Sequence, residues 1–177
     1  PNKGKTVFHH HNWRGWWDYG AGAIGDMACH NMDPAFWCLD LGAPTWVKAT
    51  CPPFNKCSFP LSSVIEWEFP ALRPAQGAVS LPNGAKGERP SVRVFWHDGS
   101  KQPPRPEELE ADRKMDSNGC MFVGDKGMLL SDYEQHVLLP EASFKDYTPP
   151  PPSIPTSLGH HAEWIHACKT GAPTTCR

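Results

Sequence analysis

Apolar and polar positions fall into three regimes along the chain. From Gly22 to about Leu41 the spacing predicts a helix, entered through glycines, with Asp26 in its first turns and Gly42-Ala43-Pro44 as its stop. Pro34 predicts a kink or break near Asn31–Asp33, because its ring removes a backbone donor and crowds the preceding turn. The period then changes to two. Thr45–Cys51 and Ser62–Phe69 read as strands, with Val64, Glu66 and Glu68 on one face of the second and Ile65, Trp67 and Phe69 on the other. Ser91–Trp96 is a third strand, closed by Asp98-Gly99. Cys120–Val123 and Met128–Leu130 flank Gly124-Asp125-Lys126-Gly127, a hairpin signal, and Gln135–Leu139 follows as a further strand. Ser157–Thr170 returns to the helical pattern, with Ser157 as N-cap and Gly171 as stop.

The remaining stretches read as connections. Residues 1–19 form an aromatic-rich, extended lead-in, Lys101–Lys114 is a proline- and charge-rich surface excursion, and Tyr147–Pro155 is a stiff extended connector. A helix, a run of antiparallel-type strands and a second helix predict an α+β fold. Its expected form is an open, mostly antiparallel β-sheet with helices on one face, spanning 1–177 as a single domain. The alternation of apolar strand and helix that builds a doubly wound nucleotide-binding sheet is missing, so no Rossmann domain is expected in this chain.

Composition narrows the function classes. A formal net charge of -2 removes the electrostatic case for nucleic acid or an anionic membrane surface. No apolar run approaches the roughly 20 residues that span a bilayer. The seven cysteines form no CxxC pair and read as free or buried thiols. Among the eight tryptophans, Trp13, Trp16, Trp17 and Trp37 cluster early, which suits either a binding wall for an amphipathic ligand or core packing. The sequence opens without an initiator Met or an apolar leader, so a piece of a longer protein is expected. Its compartment stays open between cytoplasm and export.

Gly20-Ala21-Gly22-Ala23-Ile24-Gly25 satisfies GxGxxG, and Asp40 follows twenty residues after Gly20. A dinucleotide turn needs a buried apolar strand feeding the glycines, so that pyrophosphate meets the next helix N-terminus. Here the feeding segment is Trp16-Trp17-Asp18-Tyr19, bulky and partly charged. The glycines instead suggest a tight helix entry beside a ligand or another chain segment.

The predicted first helix carries the main chemical signal. Asp26 and His30 are four apart and share a helical face, with Asp33 and Trp37 continuing the stripe if the helix survives Pro34. A carboxylate beside an imidazole fixes one tautomer and raises the basicity of the far nitrogen, which suits proton exchange with a hydroxyl or carbonyl. The same spacing also fits a pair that only stabilises the helix. A metal site built from Asp26, His30 and a distant His lacks a second HxxxH or a Cys pair, and no metal is expected.

The stretch from Asn12 to Asp33, with its Trp-Arg-Gly-Trp-Trp lead-in, glycine run, Asp26 and His30, resembles the start of the second domain in the Gfo/Idh/MocA oxidoreductases, most closely the bacterial branch. Phe36–Pro44 and His160–Lys169 are similar to later landmarks of that branch. The resemblance implies a two-domain enzyme: a separate Rossmann domain holds NAD or NADP, and this domain holds a sugar, polyol or cyclitol. It implies His30 as proton acceptor or donor, Asp26 as its partner, and Arg14, Trp16, Trp17, Asp33 and His161 as substrate-binding candidates. It further implies a homo-oligomer assembled through the sheet face. No Glu-Lys-Pro motif occurs in this chain, so turnover by this polypeptide alone is not expected. Rival expectations are a non-enzymatic glycan-binding or assembly module, and transient oxidation used to cleave a glycoside.

Overall fold

In the computed structural model, which describes residues 9–72, 88–152 and 156–174, the long helical stretch is two helices. These are α1 (Gly22–Asn31) and α2 (Asp33–Leu39). The break falls on Met32: its N–H donates to the Ala28 carbonyl at 2.7 Å, and its own carbonyl accepts from the Phe36 N–H at 3.0 Å. Pro34 sits in the first turn of α2, where a missing N–H costs nothing. The pair ends at Asp40 rather than at Gly42. Asp40 adopts the left-handed conformation (φ 47°, ψ 55°), and the Leu41 N–H reaches back to the Phe36 carbonyl at 3.1 Å, a closure more often built on glycine.

Three strands follow as an antiparallel meander: β1 (Trp46–Thr50), β2 (Val64–Phe69) and β3 (Val92–His97), in that spatial order. The register pairs Val47 with Trp67, Ala49 with Ile65, Trp67 with Val94 and Ile65 with Trp96. One face is therefore wholly apolar, carrying Val47, Ala49, Ile65, Trp67, Phe69, Val92, Val94 and Trp96. The opposite face is polar and aromatic. Glu66 pairs with Arg93, Trp46 Nε1 donates to Glu68 at 3.0 Å, and the Arg93 guanidinium lies over the rings of Trp46 and Phe95 at 5.6 and 5.7 Å. At the β2–β3 end, Asp98 accepts from the Ser63 hydroxyl at 2.7 Å and from Trp96 Nε1 at 2.8 Å.

A second meander contains β4 (Cys120–Val123), β5 (Met128–Ser131) and β6 (His136–Leu139). The antiparallel sheet expected from the pattern is thus built as two three-stranded sheets within an α+β fold. The hairpin predicted at Gly124–Gly127 forms, closed by the Gly124 N–H on the Gly127 carbonyl at 2.9 Å.

The core of the second sheet corrects one expectation. Leu109, 3 % exposed, packs with Met128 and Leu139, and Met115, Met121, Leu130 and Val137 surround them. The stretch Lys101–Lys114 is therefore not only a surface excursion. It holds its course through Arg105, whose guanidinium donates to the Glu110 and Arg113 carbonyls at 2.5 and 3.2 Å. With no regular element there, a single leucine among charges has no period to reveal it.

The chain divides into two compact units, residues 1–146 and 147–177. The second contains α3 (His160–Thr170). Gly159, not Ser157, occupies its N-cap, while the Ser157 hydroxyl accepts from the Gly159 N–H at 3.1 Å and donates to Glu163 at 2.9 Å. Gly171 ends the helix at φ 71°, as predicted. Residues 1–8 of the expected lead-in and 153–155 of the connector lie outside the described residues. The part of the lead-in that is described holds a 3₁₀ helix, His10–Gly15, in place of extended chain. Among the described residues no helix is long and apolar enough to cross a membrane.

Replacing Leu109 by Ala is expected to destabilise the protein by about 2–4 kcal/mol in urea unfolding, while Glu107→Ala stays within about 0.5 kcal/mol. Equal, small effects of the two substitutions would return the segment to the surface.

Candidate functional site

The glycine run has a packing explanation. Ahead of it stand the 3₁₀ helix and a turn through Trp17–Tyr19, not a strand. A Cβ on Gly20 would collide with the Arg14 backbone, and one on Gly22, already at φ +72°, would lie 2.8 Å from the Phe59 ring. The glycines let the start of α1 pass between the Arg14 backbone and the 57–59 segment. That segment pairs with the lead-in: the Trp17 N–H donates to the Cys57 carbonyl at 3.1 Å and the Phe59 N–H to the Gly15 carbonyl at 3.0 Å. The space a pyrophosphate would need over Gly22 is filled by Phe59. These residues do not fit a dinucleotide cradle.

Past this entry α1 presents its chemistry. Arg14, from the 3₁₀ helix, donates through Nη1 to Asp26 Oδ2 at 2.6 Å. The carboxylate expected to steer His30 is therefore engaged by a guanidinium. The pair is open to water, with side chains 47 % and 38 % exposed, so it contributes only about 0.2–1 kcal/mol. His30 lies one turn further on, exposed, with its ring edge-on to Tyr133 at a centroid distance of 6.1 Å and an interplanar angle of 84°.

The end of α1 is fastened where Tyr133 originates. Asn31 Nδ2 donates to Asn118 Oδ1 at 2.6 Å, just ahead of β4, and the Cys120 thiol donates to the Asn31 carbonyl. Tyr133 occupies the β5–β6 turn. Asp132 Oδ1 holds that turn by accepting the Glu134 and Gln135 N–H groups at 2.7 and 2.6 Å, bonds that depress the Asp132 pKa below the ordinary carboxylate range. Burial pushes the Cys38 and Cys120 thiols up, assisted by Asp33 and by Cys38 respectively, so neither is an activated nucleophile.

Trp16 is half-buried and bridged to Ser58, and Trp17 stacks on Phe59 at 3.9 Å with Phe54 at 6.4 Å. Asp33 opens α2, beyond the break, and does not continue the stripe of α1. His161 belongs to α3 in the second compact unit, where its ring is 4.3 Å from that of His160. Among the described residues no group of three or more His, Cys, Asp or Glu side chains is gathered as a metal site requires. Tyr133 is the neighbour that sequence reading missed. It lies 103 positions from His30, so no local period could have paired them.

The site thus belongs to an α+β domain in which a carboxylate and an exposed imidazole stand one turn apart on a single helix. A family model described as the oxidoreductase family C-terminal alpha/beta domain (Gfo/Idh/MocA) matches residues 2–66. The match takes in Arg14, Trp16, Trp17, Asp26, His30 and Asp33 and ends inside β2, so over that stretch the chain is similar to an oxidoreductase C-terminal domain. No curated protein matches the chain.

Gly22→Ala is expected to cost about 1–3 kcal/mol of stability, because it combines a positive φ with contact against the Phe59 ring. Thermal unfolding checks it. A neutral result would show that space over Gly22 is free after all.

Proposed function

We propose that the chain is the substrate-holding half of an NAD(P)-dependent oxidoreductase of the bacterial branch, acting on a hydroxyl of a sugar, polyol or cyclitol. The reading rests on one coincidence: the oxidoreductase family match covers the segment where Asp26 and His30 stand one helical turn apart on an exposed helix. The dinucleotide is assigned to a separate nucleotide-binding domain, since the glycine run here does not fit it. That cofactor supplies hydride chemistry.

What this chain supplies is proton transfer and grip. His30 takes the hydroxyl proton as the alcohol is oxidised, and returns it to the carbonyl oxygen in reverse. Arg14 holds the Asp26 carboxylate by a single Nη1–Oδ2 contact. Their exposed ion pair is weak enough for a polyol hydroxyl to replace Arg14 as the donor at a cost of about 1 kcal/mol or less. Trp16 and Trp17 offer flat apolar surface to the CH face of a ring, with a polar rim beside it. With the nucleotide-binding domain supplied, His30→Ala should lower turnover by roughly 100-fold or more, the scale of lost general acid–base catalysis. Unchanged turnover removes His30 from the reaction.

The same reading includes a homo-oligomer formed through the first sheet. Its support is the wholly apolar face described above, on which Val47 is 58 % exposed. Val47→Lys should shift the protein to monomer in light scattering at micromolar concentration. An unchanged mass places the contact elsewhere.

A further inference from the structure

We infer that Tyr133 is the positioning residue for the His30 imidazole, an inference that rests on His30 being the proton-transfer group proposed above. In a helical Asp–His pair the carboxylate is the ordinary means of orienting the ring. Here Asp26 Oδ2 accepts from Arg14 at 2.6 Å, so the carboxylate is shared with a guanidinium and does not by itself fix the ring. The ring contact of His30 among the described residues is Tyr133, edge-on at 6.1 Å and 84°.

An edge-on pair restricts an imidazole only if both rings are anchored to one frame, and they are. The α1 end that carries His30 is fastened to the second sheet through Asn31–Asn118 and through Cys120 on the Asn31 carbonyl. Tyr133 rises from the β5–β6 turn of that same sheet. Asp132 braces the turn through two backbone N–H groups, and its own N–H donates to the Gln135 carbonyl at 3.0 Å. The helix end and the aromatic ring therefore share β4–β6 as their support. With 61 % of its surface exposed, Tyr133 is not a core residue, so packing alone does not account for its place. Quadrupole attraction between the rings narrows the imidazole's χ2.

The test uses side-chain nuclear magnetic resonance on the full chain, with Tyr133→Ala and Tyr133→Phe. In the Ala variant the His30 ring protons lose their Tyr133 ring-current shift and nuclear Overhauser contacts, while the α1 amide signals stay in place. The Phe variant restores both. His30 ring signals that do not move in the Ala variant, or a Phe variant that fails to restore them, overturn the inference. If the Ala variant does not fold, Tyr133→Leu takes its place with the same expectations. A kinetic arm uses the protein supplied with its nucleotide-binding domain. Tyr133→Ala should lower kcat by roughly 3- to 10-fold with KM held, the size of an edge-on aromatic contact, and Phe should stay within about 2-fold of the parent. Equal losses in Ala and Phe also overturn it. Should His30→Ala leave turnover intact, the catalytic reading falls, while the resonance arm still decides whether Tyr133 orients the ring.

Discussion

The break at Met32 is the constraint on which the arrangement of the first unit depends. A continuous helix from Gly22 to Leu39 would point both its ends along one axis. Pro34 forbids that continuation, and the two halves become free to answer to different sheets. The end of α1 is tied to β4 by Asn31 and Cys120. α2 is tied to the first sheet: the Phe36 ring meets buried Phe69 edge-on at 5.5 Å, and Arg89, just ahead of β3, donates to the Leu39 carbonyl at 2.5 Å and to Pro70 at 2.8 Å. A guanidinium on the last carbonyls of α2 satisfies acceptors that the helix cannot and sits at the negative end of its dipole. One proline thus allows the helix pair to clasp two separate three-stranded sheets, with His30 carried near the clasp.

That geometry explains which features were legible in the sequence. Strands were readable because alternation is local: the face assigned to Ile65, Trp67 and Phe69 is the apolar one in the observed register. The helix break was readable because proline acts on its own neighbours. Leu109 was not, since one buried leucine in a loop has no repeat. Nor was the end of α2 at Asp40, where an acidic residue adopts a backbone conformation usually given to glycine. Within the site, α1 placed Asp26 and His30 on one face from spacing alone. Arg14 and Tyr133 come from elements fixed by long-range pairing, and spacing holds no information about them.

The glycine run shows how a pattern and its physics can separate. GxGxxG describes where a backbone must pass close to something bulky, and in a dinucleotide turn that something is phosphate. Here the same requirement is met by the Arg14 backbone and the Phe59 ring. The distinction was available from the feeding segment, because two tryptophans and an aspartate cannot form the buried strand a phosphate turn needs.

Burial bears on the assembly question in the same physical terms. Among the described residues, the buried hydrophobic side chains are Leu41, Phe69, Trp96, Leu109, Met128 and Leu139, and only Phe69 and Leu139 are fully buried. On the apolar face of the first sheet, Phe69 and Trp96 are buried, but Ile65, Trp67, Val92 and Val94 remain partly open and Val47 is exposed. Each square ångström of that face withdrawn from water contributes about 25 cal/mol. The gain is largest where the side chains already stand in register, since no further ordering is then required. The opposite face has no such gain to offer, because Glu66, Arg93 and Glu68 are already paired and would lose water on burial. The sheet is therefore asymmetric in what it can bury.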